Sequence, residues 1–286
     1  MTNFQLFIGL LLTLTMIMRP FLYKPAAEHF PLNLSSLFTS TWLMVCLALS
    51  FPWLGHLYTD RFAEITASPY LLLSILKGIL LWVSVKLQQS INKQSTSSSA
   101  FYTFVSMALS SLINNIFFNE GLKLFQIICI CGFGILGIAF ILMGDAKRLS
   151  AKNKIAFFIA ILIGALFSVQ DHLAIPQVGW YAHLLYSSLF MFLTCFIAKV
   201  SKNDFKIIFK NRTIALAGAF FGVTEFLIIY ASINILPVTF VSMFMRLATP
   251  IVMLVSAFKY KEQSWKNQLI FGLISLALAL PLILIK

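Results

Sequence analysis

The chain has 286 residues, 60% of them hydrophobic and only 10% charged, with a mean hydropathy of +0.92. That composition excludes a soluble globule with a solvated surface, and the apolar runs leave no stretch for a separate soluble domain. The formal charge of +12, from 21 Lys+Arg against 9 Asp+Glu, would point to nucleic acid in a soluble protein, but here most cations lie in short loops between apolar runs. This is the footprint of membrane orientation, so no nucleic-acid partner is expected.

In chain order, ten apolar stretches approach the roughly 20 residues that cross a hydrocarbon core of about 30 Å. They predict membrane helices over residues 3–23, 34–55, 69–92, 97–119, 122–144, 153–171, 179–200, 212–236, 238–260 and 264–285. The first lacks a cationic start and a small-residue cleavage site, so it reads as a retained helix and not a signal peptide. The polar run at 90–99 is taken as a tight turn followed by the wet entry of the fourth helix. Hydrophobic helices are the spanning element expected, because lipid cannot satisfy a free backbone. The fold expected is therefore all-α and polytopic, in an integral membrane protein of a bacterial inner membrane.

The four cysteines, Cys46, Cys129, Cys131 and Cys195, all fall inside apolar runs. Cys129 and Cys131 are two residues apart and point to different helix faces, so neither a disulfide framework nor a metal site is expected. No cofactor is expected either. Sorting cations by loop parity puts Lys24, Lys93, Lys147, Arg148, Lys152, Lys154, Lys199, Lys202, Lys206, Lys210, Arg212, Lys259, Lys261 and Lys266 in odd-numbered loops. Only Arg61, Lys123 and Lys286 fall in even loops or at the termini, a ratio of 14 to 3. Taken alone, the positive-inside rule sets the odd loops in the cytoplasm and both termini outside.

Transporters are often built from two related halves, and self-comparison at an offset of 142 residues aligns Ser90-Ile91-Asn92 with Ser232-Ile233-Asn234, Glu120 with Glu262 and Gln126 with Gln268. Residues 1–145 and 146–286 would then be five-helix repeats. An odd number of helices forces the second repeat into the membrane in the opposite direction, so the expected architecture is ten transmembrane helices as two inverted five-helix repeats.

The stretch 104–142 carries Asn119-Glu120-Gly121 in a short loop, then Gln126, then Gly132, Gly134 and Gly137. The second copy carries Leu236-Pro237, Thr249-Pro250, Lys261-Glu262, Gln268 and Gly272, and Lys77-Gly78 forms a basic-Gly pair in the third helix. In these features the chain resembles the drug/metabolite transporter superfamily, EamA type. It departs at Ala108, where the first repeat often has the proline that Pro250 supplies in the second. The resemblance implies a ten-helix transporter with a cavity between its halves, moving amino acids, nucleotide-like metabolites or drugs by alternating access. It also implies cytoplasmic termini, the reverse of the loop charges.

Ionisable groups inside a span cost about 2.5–3.5 kcal/mol each at the helix centre on insertion scales, which makes them the first candidates for a site. Glu225 lies 11 residues before Leu236 and Arg246 10 after it, both about 15–16 Å from that turn. They read either as a structural ion pair or as a site, with Glu225 for a proton or substrate amine and Arg246 for a carboxylate or phosphate. Their counterparts at the offset, Val83 and Phe104, are apolar. Lys77 could reach the same depth or snorkel outward, and Arg19 and Lys86 lie closer to the opposite surface. Tyr102, Ser106, Ser110 and Asn114 share one face of the fourth helix, and His183, Tyr186 and Ser187 fall on the seventh; all can line a site or hold helices together. Trp82 would stack on a ring or face lipid, and the three glycines of the fifth helix would allow close packing.

The function expected is secondary transport of a small anionic or zwitterionic metabolite through a midplane cavity formed mainly by helices one, three, four, six, eight and nine. Membrane lipid is the other partner, and proton coupling is left open. The chain holds no G-x-x-x-x-G-K-[ST] or H-E-x-x-H motif, and Asp171-His172 at the end of the sixth span has no partner in the sequence. An enzyme is therefore not expected. A channel or lipid-handling protein fits the same composition and would differ from a carrier in its kinetics.

Overall fold

The computed structural model describes residues 3–119, 123–143, 149–198, 202–217, 236, 238–260 and 265–284. Among them every regular element is a helix. In chain order these are α1 (Asn3–His29), α2 (Leu32–Leu54), α3 (His56–Thr59), α4 (Phe62–Ala67), α5 (Leu71–Gln94), α6 (Thr96–Phe118), α7 (Leu124–Met143), α8 (Ala151–Val178), α9 (Trp180–Ile197), α10 (Lys202–Lys210), α11 (Val238–Tyr260) and α12 (Trp265–Leu284). Residues 212–217 are helical too; the rest of the eighth predicted span, 218–235, lies outside the described residues.

Among the described residues, six stretches are long and apolar enough to cross a membrane: Asn3–Ala26, Ser36–Leu54, Leu71–Gln94, Leu124–Met143, Ala151–Val178 and Trp180–Ile197. Shorter apolar pieces, Ala108–Phe118 and Leu247–Lys259, lie in α6 and α11. Trp53, Phe117, Ile135 and Leu142 are exposed on these helices, as on a surface that faces lipid. Length, composition and surface together indicate an integral membrane protein.

Local chemistry sets the helix ends. Ser95, with extended backbone, accepts from the Ser98 N–H at 3.1 Å and so starts α6. Asn119 ends it in the left-handed region at φ 51°, which a short amide side chain tolerates. The sixth predicted span is corrected: α8 does not stop at Asp171 but runs to Val178. Gln170, Asp171 and His172 look like a polar helix end in one dimension, yet they occupy interior turns.

The chain forms two compact units that do not follow its sequence halves. One comprises Met1–Pro25, Leu87–Ala165 and Thr224–Lys286; the other comprises Ala26–Lys86 and Leu166–Val223. In the first, α6 packs on α7 and α11, and α12 packs on α7 and α11. Its centre is a trio of rings, with Phe101 stacked on Phe140 at 4.3 Å and Phe271 edge-on to Phe140 at 5.2 Å. A Cβ on Gly137 would come within 2.9 Å of Val105, and one on Gly132 within 3.2 Å of Leu278, whereas Gly134 faces open space. Close packing thus explains two of the three glycines. In the second unit α2 packs on α9, and the buried Tyr181 hydroxyl donates to the Leu47 carbonyl at 3.0 Å.

Replacing Phe140 with Ala should lower stability in detergent by about 3–5 kcal/mol, the cost of emptying a buried aromatic site. Phe117→Ala, at a side chain 75% exposed, should change it little. The difference would be read as the shift in thermal unfolding of the purified variants.

Candidate functional site

The second unit brings charge together from three helices. Ser74 and Lys77 are three residues apart on α5 and Phe167 and Asp171 four apart on α8, so each pair shares a helix face. His183 stands in the first turn of α9. Gly179 makes the α8–α9 reversal possible: its φ of +79° is backbone that side-chain-bearing residues avoid. At Gly78 a Cβ would lie 2.4 Å from the Ser187 carbonyl oxygen. Only glycine permits α5 and α9 to approach so closely, and this approach carries the flanking Ser74 and Lys77 to His183.

The Lys77 ammonium donates to Asp171 Oδ1. The same oxygen accepts from His183 Nε2 at 2.7 Å, and His183 Nδ1 lies 2.7 Å from Ser74 Oγ. Lys77 Nζ is also 3.3 Å from His183 Nε2 and 5.9 Å from the Phe167 ring centre. An ionised carboxylate can only accept, which assigns a proton to Nε2. In the neutral imidazole, Nδ1 then accepts the Ser74 hydroxyl proton. Lys77 and Asp171 cancel in charge, and His183 holds a lone pair that can take one further proton at Nδ1 if the Ser74 hydroxyl turns to accept. His183 is 3% exposed, while the Asp171 side chain, at 36%, keeps partial access to the surroundings. Counting residues from the helix ends, Lys77 lies about 9 Å inside α5 and Asp171 about 10 Å inside α8.

One turn beyond His183, the Tyr186 hydroxyl is 3.0 Å from that of Tyr58 in α3. Burial, and then the Tyr186 hydroxyl, push the Tyr58 phenol up to about 12, so Tyr58 is neutral at any physiological pH. Arg61 donates to Glu64 at 3.0 Å and to the Gln177 carbonyl at 3.1 Å, tying the α3–α4 segment to the end of α8.

Of the residues expected from the sequence, Lys77 and His183 meet directly, and Tyr186 stands beside them. Lys77 does not snorkel; Asp171 holds it. The Lys86 ammonium lies 4.2 Å from the Trp82 ring centre, which turns Lys86 back along its own helix. Tyr102, Ser106, Ser110 and Asn114 belong to the first unit and are buried there. Tyr102 packs edge-on to Phe157, and Ser106 closes on Gly164. Glu225 lies outside the described residues, as does the side chain of Arg246, although its backbone is part of α11.

The reading of Asp171 as a residue without partners is overturned by Lys77 and His183. Part of its signal was present in the chain: Asp171 lies eight residues before Gly179 and His183 four after it, so a tight turn sets them about 6 Å, or one helical turn, apart in depth, a gap the two side chains can span. The described residues contain no cluster of three His, Cys, Asp or Glu side chains arranged for a metal. The cysteines are unbridged, with Cys129 buried and Cys131 exposed on opposite faces of α7. No family model matches the chain, and no curated protein matches it.

Asp171→Asn should destabilise the protein by about 1–3 kcal/mol, between the worth of exposed and buried ion pairs. Adding Lys77→Met should recover more than half of the loss, because the stranded ammonium is then gone. Additive losses in thermal unfolding would show that the two side chains are not coupled.

Proposed function

We propose that the chain is a secondary transporter of the drug/metabolite type, with ten membrane helices in two inverted five-helix repeats, resident in a bacterial inner membrane. The observation that carries this reading is the Lys77–Asp171–His183 cluster, three ionisable side chains held together on helices otherwise built for lipid. Such groups are expensive inside a membrane and are associated with substrate pathways and proton relays.

The helix pairing supports two related halves. Counted as spans, α6–α7 is helices four and five and α11–α12 is nine and ten, so one pair becomes the other when the repeats are exchanged. The pairs α2–α9, α6–α11 and α7–α12 each join a helix to its own counterpart in the other repeat. Each compact unit likewise takes segments from both halves, as interlocked repeats require.

The chemistry is an exchange of partners. A proton at His183 Nδ1 gives the cluster a net positive charge, and a substrate carboxylate or phosphate restores neutrality by competing with Asp171 for Lys77. Proton and anion thereby favour each other's binding, which is the linkage a coupled carrier needs. Tyr58 and Tyr186 supply hydroxyls beside the site. Arg246 and Glu225 remain candidates for a second pair of substrate contacts.

The test is transport into proteoliposomes carrying a trapped pH dye, over a panel of organic acids, amino acids and nucleotides. Saturable uptake of one anion should proceed with proton movement, and Asp171→Asn or His183→Gln should lower it by at least tenfold. Non-saturating conductance, or wild-type proton-coupled flux in both variants, would contradict the carrier reading.

A further inference from the structure

Helix α10 has no place among the spans. Nine residues long, it covers only about 13.5 Å, and it lies between the span ending at Ile197 and the helical residues 212–217. Its apolar side is already used: Ile207 and Ile208 pack against a cluster formed by Ala26, Phe30, Leu34 and Ala215. The opposite side is open. Lys206, Phe209, Lys210, Arg212 and Thr213 are exposed, Phe209 to 78%. At 100° per residue Lys206 and Lys210 stand one above the other, with Phe209 beside them.

Residues 199–212 carry Lys199, Lys202, Lys206, Lys210 and Arg212 against Asp204, hence 5 − 1 = +4 of the chain's total of +12. A concentrated positive charge, an outward phenyl ring and a partly buried aliphatic anchor next to the end of a membrane span are the ingredients of a helix that lies in the headgroup layer. Soluble protein partners are less favoured, because Phe209 is flanked by the exposed cations Lys206, Lys210 and Arg212, and charge is depleted at the core of protein interfaces.

We propose that the outer face of α10 binds the headgroups of anionic phospholipids. The ammonium groups of Lys206 and Lys210 and the Arg212 guanidinium donate to phosphodiester oxygens. Phe209 enters the boundary between headgroups and acyl chains. This contact is independent of the transported substrate and places the α9–α10 end of the second unit at the more anionic leaflet, in keeping with the cations of the odd loops.

Native mass spectrometry of the full chain tests it, with phosphatidylglycerol and phosphatidylcholine of identical acyl chains as probes. The wild type should retain phosphatidylglycerol preferentially. The preference should fall by about fivefold for each cation removed in Lys206→Gln, Lys210→Gln and Arg212→Gln, since each contributes about 1 kcal/mol at an anionic surface. Phe209→Ala should weaken both lipids alike. A variant losing the same charge elsewhere, Lys123→Gln with Lys152→Gln and Lys266→Gln, should keep most of the preference. Lipid exchange between wild-type protein and vesicles should also lose its selectivity as salt is raised. Unchanged preference in the triple α10 variant, an equal loss in the control, or salt-insensitive selectivity would each overturn the proposal.

Discussion

A carboxylate on a membrane helix must be matched, and much of the second unit follows from how Asp171 is matched. Lys77 supplies the opposite charge and His183 a second hydrogen bond to the same oxygen. Both depend on backbone conditions that lie outside the charged residues. Gly78 lets α5 approach α9, Gly179 reverses the chain between α8 and α9, and the two extra turns of α8 carry Asp171 away from the helix end. The charge is balanced at rest, which limits its cost in a low-dielectric setting. It is also within one proton of imbalance, which gives the site a means of responding to a ligand.

The first unit solves a different problem. Its helices are joined by the rings of Phe101, Phe140 and Phe271 and by close approaches at Gly137 and Gly164. Lipid gives such helices little reason to associate, so small residues and shape-matched rings supply the attraction. Its polar groups, among them Ser106, Ser110 and Asn114, are buried with it. Polarity on a membrane helix therefore has two uses in this chain: Ser74 orders a titratable side chain, whereas Ser106 lies at a close helix crossing.

Much of the helix layout was legible in the chain. The predicted bounds of the second, fourth, fifth, ninth and tenth spans lie within about two residues of α2, α6, α7, α11 and α12, because a hydrophobic run interrupted by polar residues is a one-dimensional signal. The short helices α3, α4 and α10 were missed, since loops of mixed polarity carry no such period. The site was half legible. Lys77, His183 and Tyr186 stand out as polar groups in apolar stretches, whereas Asp171, with His172 at the end of the sixth predicted span, shows no partner in the sequence. Pairing across helices is invisible to a reading that follows one helix at a time. Matching depths around Leu236 singles out Glu225 and Arg246, 11 and 10 residues from it, but Asp171 and His183 lie 8 and 4 residues from Gly179 and escape that criterion.

The central claim is that this cluster binds a proton and a substrate anion in concert. Proton uptake at equilibrium tests it without a membrane gradient. A pH-indicator titration of the detergent-purified protein with an anion identified by the uptake assay, in weak buffer, should register about one proton taken up per chain as the anion binds. The same titration of the Asp171→Asn, His183→Gln double variant should register none. Anion binding with no proton uptake in the wild type, or with undiminished uptake in the double variant, would contradict the account.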